Sequence, residues 1–244
     1  MNPGLKVCVL GPIDVTRFGE RLDHEIGGRN PKVTLGILAL SANRAVPVAQ
    51  LVDAVWGDDP PRTAIPTLQS VISRLRKVLG PETITRVDHS YQLNIECSQL
   101  DVTNFERLAG LVLDNVRLDP AMALQWADEA EALWRGPVLG DLHDEVFARP
   151  EVLRFDELKQ AVDEARLEAL VLLGKVDRAV PELYAEAAQN PHREHLWHLL
   201  VRALYLDGRR QEAQDAYARY AAALAETGLE PAVTLEQLAE KASV

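Results

Sequence analysis

Two kinds of periodicity divide the chain. Through about residue 98, short alternating runs are interleaved with helical stripes, whereas from Asp101 onward only helical stripes remain. Leu5–Leu10 alternates well enough for a strand. Gly11-Pro12 breaks it, and Ile13–Phe18 with Arg21–Ile26 extends it into a small antiparallel meander. Gly27 to Pro31 reads as a loop, with Asn30 capping a helix over about 31–42 and Pro31 in its first position. Val46 is a short strand, and Pro47 opens a second helix closed by Gly57, whose Trp56 is expected to pack in the core against the helix that follows. That third helix is capped by Thr63, with Pro66 in its first turn, where a missing N–H costs nothing. Leu68, Ile72, Leu75 and Leu79 form its apolar stripe, widened by Val71 and Val78. A hairpin near 83–95 follows, turning at Asp88-His89-Ser90. Serine at 90, where glycine would be expected in a tight turn, points to another turn type.

In the second half the pattern predicts helices over Asp101–Asn115, Pro120–Trp134, Glu151–Leu173, Val176–Gln189, Arg193–Leu206, Arg210–Thr227 and Val233–Ala242. Pro181 lies where it would weaken the start of the fourth. Leu170, Gly174 and Ala179 recur 34 residues later as Leu204, Gly208 and Ala213, the spacing of tetratricopeptide helix pairs, which bury their faces by stacking and leave a groove. The Gly/Pro-rich stretch 135–150 reads as a linker between helix pairs. The fold class expected is therefore mainly α and multidomain: an α+β winged helix-turn-helix over 1–98, then an all-α tetratricopeptide-like domain over 99–244.

The outer face of the third helix carries the candidate chemistry. Thr67, Ser70, Arg74 and Lys77 lie opposite the apolar stripe, flanked by Gln69, Ser73 and Arg76, and no acid interrupts them. Glutamine and serine can reach base edges, while arginine and lysine hold phosphates. Arg86 and His89 add polar groups on the predicted wing. A net charge of −11 argues at first against nucleic acid. Its distribution reverses the argument: residues 1–98 hold 11 Lys/Arg against 10 Asp/Glu, and residues 99–244 hold 15 against 27, so the acidity lies almost wholly in the second half.

Other chemistries find no pattern. His192, His195 and His198 stand three apart, but no carboxylate or cysteine completes a metal site, so they read as surface residues. Cys8 and Cys97 are too few for a disulfide framework. There is no phosphate-binding Gly-x-x-x-x-Gly-Lys motif and no nucleophile-base arrangement, so neither enzyme activity nor a cofactor is expected. The absence of an apolar run of membrane length, and of a signal-peptide pattern, points to the cytoplasm.

The run Ser73-Arg74-Leu75-Arg76-Lys77 with the short strands after it resembles the OmpR-type winged helix-turn-helix, the output domain of two-component regulators. With Asn43-Arg44 and Trp56-Gly57-Asp58-Asp59-Pro60-Pro61 upstream, and Thr227-Gly228-Leu229-Glu230-Pro231 near the end, the chain resembles the Streptomyces antibiotic regulatory proteins over nearly its whole length. These pair that DNA-binding domain with a bacterial transcriptional activation domain, and larger members append an ATPase module. The resemblance implies a transcription activator, of a secondary-metabolite (antibiotic) cluster, that binds promoter direct repeats in double-stranded DNA. It further implies recruitment of RNA polymerase holoenzyme and a homodimer at least on DNA. A different class stays open beside it: a helical-repeat ligand sensor or interaction scaffold whose winged helix no longer grips DNA.

Overall fold

The structure, a computed structural model, describes residues 4–242. By contacts the chain divides into two compact units. One takes the chain up to Leu108 together with Glu129–Leu158, and the other takes Ala109–Asp128 with Lys159 onward.

The first unit opens with an antiparallel sheet of β1 (Leu5–Cys8), β2 (Asp14–Arg17) and β3 (Glu20–Arg21). The meander is shorter than the alternation predicts: residues 23–26 turn into α1 (Asp23–Ile26), whose Ile26 is fully buried. Next come α2 (Arg29–Leu40), β4 (Val46–Pro47), α3 (Val48–Trp56) and α4 (Ala64–Leu79), with α2, α3 and α4 packed on one another. The cap of α2 is Gly28 rather than Asn30, and Pro31 falls in its third position. Thr63 precedes α4, but its hydroxyl makes no capping hydrogen bond. Trp56 is half-buried rather than enclosed; Leu51 and Val55 fill the core in its place.

The wing is β5 (Ile84–Val87) and β6 (Ser90–Leu93), joined through Asp88-His89, with β4 on the far side of β6. The positive φ this turn needs falls on Asp88 (φ 50), a residue type that tolerates the left-handed region, so Ser90 is free to begin β6.

The helices that follow are α5 (Asp101–Asn115), α6 (Pro120–Glu131), α7 (Arg149–Leu172), α8 (Val176–Gln189), α9 (Glu194–Leu206), α10 (Arg210–Ala225) and α11 (Leu235–Ala242). Pro181 lies inside α8, which nevertheless starts at Val176. In the second unit α9 packs against α8, α10 and α11. The 34-residue repeat is visible as geometry. Leu170 and Leu204 are fully buried, as are Ala179 and Ala213. Gly174 (φ 67) and Gly208 (φ 74) end their helices with the backbone N–H of Lys175 and Arg209 donating to Leu170 O and Leu204 O, each at 2.9 Å. That six-to-one bond needs a left-handed residue, which glycine supplies without a Cβ penalty. Gly228 (φ 74) repeats the closure between Leu229 N and Leu224 O at 3.0 Å. Among the described residues no helix is long and apolar enough to cross a membrane.

Residues 135–150 are not a simple linker. Arg135 N and Leu139 N donate to Leu10 O and Val9 O, both at 2.8 Å, beyond the end of β1. Val138, Leu139 and Leu142 are buried, and Leu139 lies against Gly36 of α2. Asp101, the first residue of α5, accepts hydrogen bonds from Val9 N at 2.8 Å and Leu10 N at 2.8 Å. Its carboxyl is buried, which pushes its pKa up, while those N–H groups and Arg135 pull it down. Phe105, Trp134 and Phe155 meet in the same core, Phe105 and Trp134 edge to face at 5.2 Å.

Candidate nucleic-acid interface

Burial along α4 follows its helical period. Ala64, Leu68, Val71, Ile72, Leu75, Val78 and Leu79 are buried, and the opposite face presents Pro66, Gln69, Ser70, Ser73 and Lys77 to solvent. Arg74 is exposed as well, whereas Thr67 and Arg76 lie half-buried at the edges of the stripe.

Hydrogen bonding sorts these side chains further. Among the described residues Gln69, Ser73 and Lys77 have no intramolecular partner. Ser70 bonds back to Pro66 O at 3.0 Å, one turn earlier, a local bond that a base edge can replace. The two arginines are engaged. Arg74 Nε donates to Glu25 O at 2.9 Å, its guanidinium lying against Gly27. Arg76 Nε donates to Ile84 O at 2.8 Å and so joins α4 to the wing. Arg17 from β2 donates to Val78 O at 2.7 Å and satisfies a carbonyl at the end of α4. On the wing, Arg86 and His89 are both exposed. Arg86 Nε donates to Asp88 O at 3.2 Å, and His89 O accepts from Val48 N at 2.9 Å, which ties the turn to the start of α3.

The stretch from Arg62 to His89 carries five bases against two acids, Glu82 and Asp88, in a chain whose net charge is −11. Arg62 is exposed in the turn just before α4. The sequence reading omitted it because it precedes the helix, although stepping the outer face back from Gln69 and Pro66 by one turn arrives at it. The geometry is a helix with an acid-free polar face, braced from behind by α2 and α3 and flanked by a hairpin with a cation. Such a face can enter the major groove, with phosphates held at its margins.

Two of the three spaced histidines are engaged elsewhere. His195 Nε2 lies 3.5 Å from Glu168 and His198 Nε2 lies 3.2 Å from Glu194. Glu168 also receives Arg117 Nε at 2.8 Å. The His195 hydrogen bond, with help from Arg117, holds the Glu168 carboxyl down at about 2.

Comparison with known proteins agrees with this architecture. Residues 100–242 match the bacterial transcriptional activator domain, and residues 33–91 match the C-terminal domain of transcriptional regulatory proteins. Regulatory protein DnrI of Streptomyces peucetius is 32% identical, over 96% of this chain and 90% of its own length. Regulatory protein AfsR of Streptomyces griseus is 34% identical over 97% of this chain, which spans only 24% of that longer protein. The solved structure of Mycobacterium tuberculosis EmbR in complex with a low-affinity phosphopeptide superposes with a TM-score of 0.89 at 30% identity, over 98% of this chain and 65% of that one. The chain therefore belongs to the bacterial transcription activators of the Streptomyces antibiotic regulatory protein type, in which a winged-helix DNA-binding domain is joined to a bacterial transcriptional activator domain.

Proposed function

We propose that α4 reads promoter DNA through Gln69, Ser70 and Ser73 set against base edges in the major groove. Thr67, Arg74 and Lys77 line the adjoining backbone, Arg62 and Lys77 bind phosphate, and Arg86 and His89 carry the wing to the neighbouring groove or backbone. Arg76, bonded to the wing, acts as a positioning residue between α4 and β5. The observation that carries this reading is the outer face of α4, where Gln69, Ser73 and Lys77 are exposed, lack partners among the described residues and have no acid among them. Two copies bind direct repeats as a homodimer, so a modest single-site affinity is multiplied through effective concentration. The bound pair recruits RNA polymerase holoenzyme to a secondary-metabolite cluster. The protein works in the cytoplasm by coupled binding, without turnover.

The test is a fluorescence-anisotropy titration of the full chain on a duplex selected from random sequence, at two salt concentrations. Gln69→Ala should relax the preference at one base pair, at about 1–3 kcal/mol if its contact is bidentate. Lys77→Ala should weaken all sequences alike and lower the salt slope by about one. An unchanged selected site with Gln69→Ala, together with an unchanged slope for Lys77→Ala, would refute the assignment. No binding to any duplex would return the chain to the class of scaffolds.

A further inference from the structure

A cavity of about 590 Å³ lies where the start of β1, the end of α4 and the base of the wing come together. Its size is that of a small-molecule site. Leu5, Pro81 and Ile95 give it an apolar lining, and two cations, Arg17 and Lys77, line it together with the acids Glu82 and Glu96. These charges are not equivalent. Glu96 is turned to its own loop, where its side chain accepts from Gln99 N in a capping box, and Glu82 is exposed on the turn after α4. Arg17 donates through Nη2 to Val78 O, while its Nε is buried with no acceptor among the described residues. A buried donor without an acceptor is costly and rare in a folded chain. Lys77, also without a partner among the described residues, is exposed. The end of α4, whose carbonyls would repel an anion, is covered: Val78 O by Arg17, and Leu79 O by Thr83 Oγ1 at 2.9 Å.

We propose that this cavity binds a small organic anion, a carboxylate on an apolar body, and that the bound anion weakens DNA binding by drawing Lys77 away from phosphate. The apolar body lies on Leu5, Pro81 and Ile95, and the carboxylate accepts charge-assisted hydrogen bonds from Arg17 Nε and Lys77 Nζ. The exposed Glu82 disfavours a polyanion, so nucleic acid itself is a poor occupant. Because Lys77 belongs both to the cavity and to the outer face of α4, the two ligands are coupled through one ammonium, and the coupling is reciprocal. The inference rests on the reading of α4 given above and supplies its control.

The experiment uses the full chain, with naphthoate as the probe and uncharged naphthamide, of the same shape, as its control. Naphthoate should shift the methyl NMR signals of Leu5 and Ile95, and naphthamide should bind about tenfold more weakly. At saturating naphthoate the affinity for the selected duplex should fall several-fold and the salt slope by about one. Lys77→Ala should still bind naphthoate, but its DNA affinity should no longer respond to it. Arg17→Met should bind naphthoate about tenfold more weakly and keep its DNA affinity within about twofold. Unmoved Leu5 and Ile95 signals overturn the proposal, as do equal affinities for acid and amide, or an undiminished DNA affinity with the cavity filled. Should Arg17→Met fold poorly, the wild-type methyl shifts and the naphthamide comparison still decide the site. A wild-type chain that binds no duplex defeats the reading of α4 instead, and the methyl shifts then judge the cavity alone.

Discussion

Replacing Asp101 with alanine should destabilise the winged-helix unit although the residue lies outside the winged helix in sequence. In the native protein its carboxyl receives Val9 N at 2.8 Å, Leu10 N at 2.8 Å and Val102 N at 2.8 Å, in a site from which water is excluded. Alanine offers no acceptor, so two backbone donors beyond the end of β1 are left buried and unpaired, at about 1–3 kcal/mol each. Removing a carboxyl that burial disfavours gives part of this back, about 1–2 kcal/mol. The expected loss is about 1–4 kcal/mol, a large share of the roughly 5–15 kcal/mol that holds a domain together. Asp101→Asn retains one acceptor oxygen and should lose about half as much. Urea denaturation measures the total, and amide hydrogen exchange locates it, because Val9 and Leu10 should lose protection first. An alanine variant within about 1 kcal/mol of wild type, with Val9 and Leu10 exchanging as before, would refute the reasoning.

Glu168 supplies a pH signature. Its carboxyl is held at about 2 against an ordinary 4.5. Its stabilisation is therefore complete above the unfolded value and is lost as pH falls from about 4.5 through about 2. With Arg117 largely exposed, solvent screening reduces the contribution to about 1–2 kcal/mol, and Glu168→Gln should flatten the acid limb of a stability profile by that amount. A profile as steep as wild type would show that the pair contributes nothing. Gly140→Ala should lose more stability than Gly208→Ala: both have positive φ, but a Cβ at 140 would stand 2.7 Å from Pro12 Cα, whereas 208 is open. Position 208 should cost about 1–2 kcal/mol and position 140 more, so equal losses in thermal melts would contradict the close approach.

Much of this architecture is legible from the chain because period and punctuation agree. The stripe Leu68 to Leu79 places α4, and Asn115, Val176 and Gln189 bound helices where the pattern predicts them. The glycines at 174 and 208 announce the turns that close α7 and α9. What periodicity cannot convey is partnership over distance. Gly136, Pro137 and Gly140 suggest a linker, yet the positive φ of the two glycines lets the chain follow the end of β1. Asp101 looks like any acid in a first helical turn, and only the fold brings Val9 to it 92 residues away. The candidate face was legible for the same reason as the helix. The capture of Arg74 by Glu25 O and of Arg76 by Ile84 O was not, because a wheel shows direction but not neighbours.

The path of the chain bears on how the protein is made. The wing is synthesised by about residue 95, but the segment that buries Val138, Leu139 and Leu142 in the same unit leaves the ribosome only as residue 158 approaches. At roughly 5–20 residues per second, a nascent winged helix waits several seconds with the end of β1 and the Asp101 site incomplete. Meanwhile Ala109–Asp128 has emerged and has no second unit to join. Neither part can therefore mature as a bead on a string. Grafting the DNA-reading half onto another protein would have to carry the 129–158 segment with it, a constraint on recombination that a boundary drawn in sequence does not reveal.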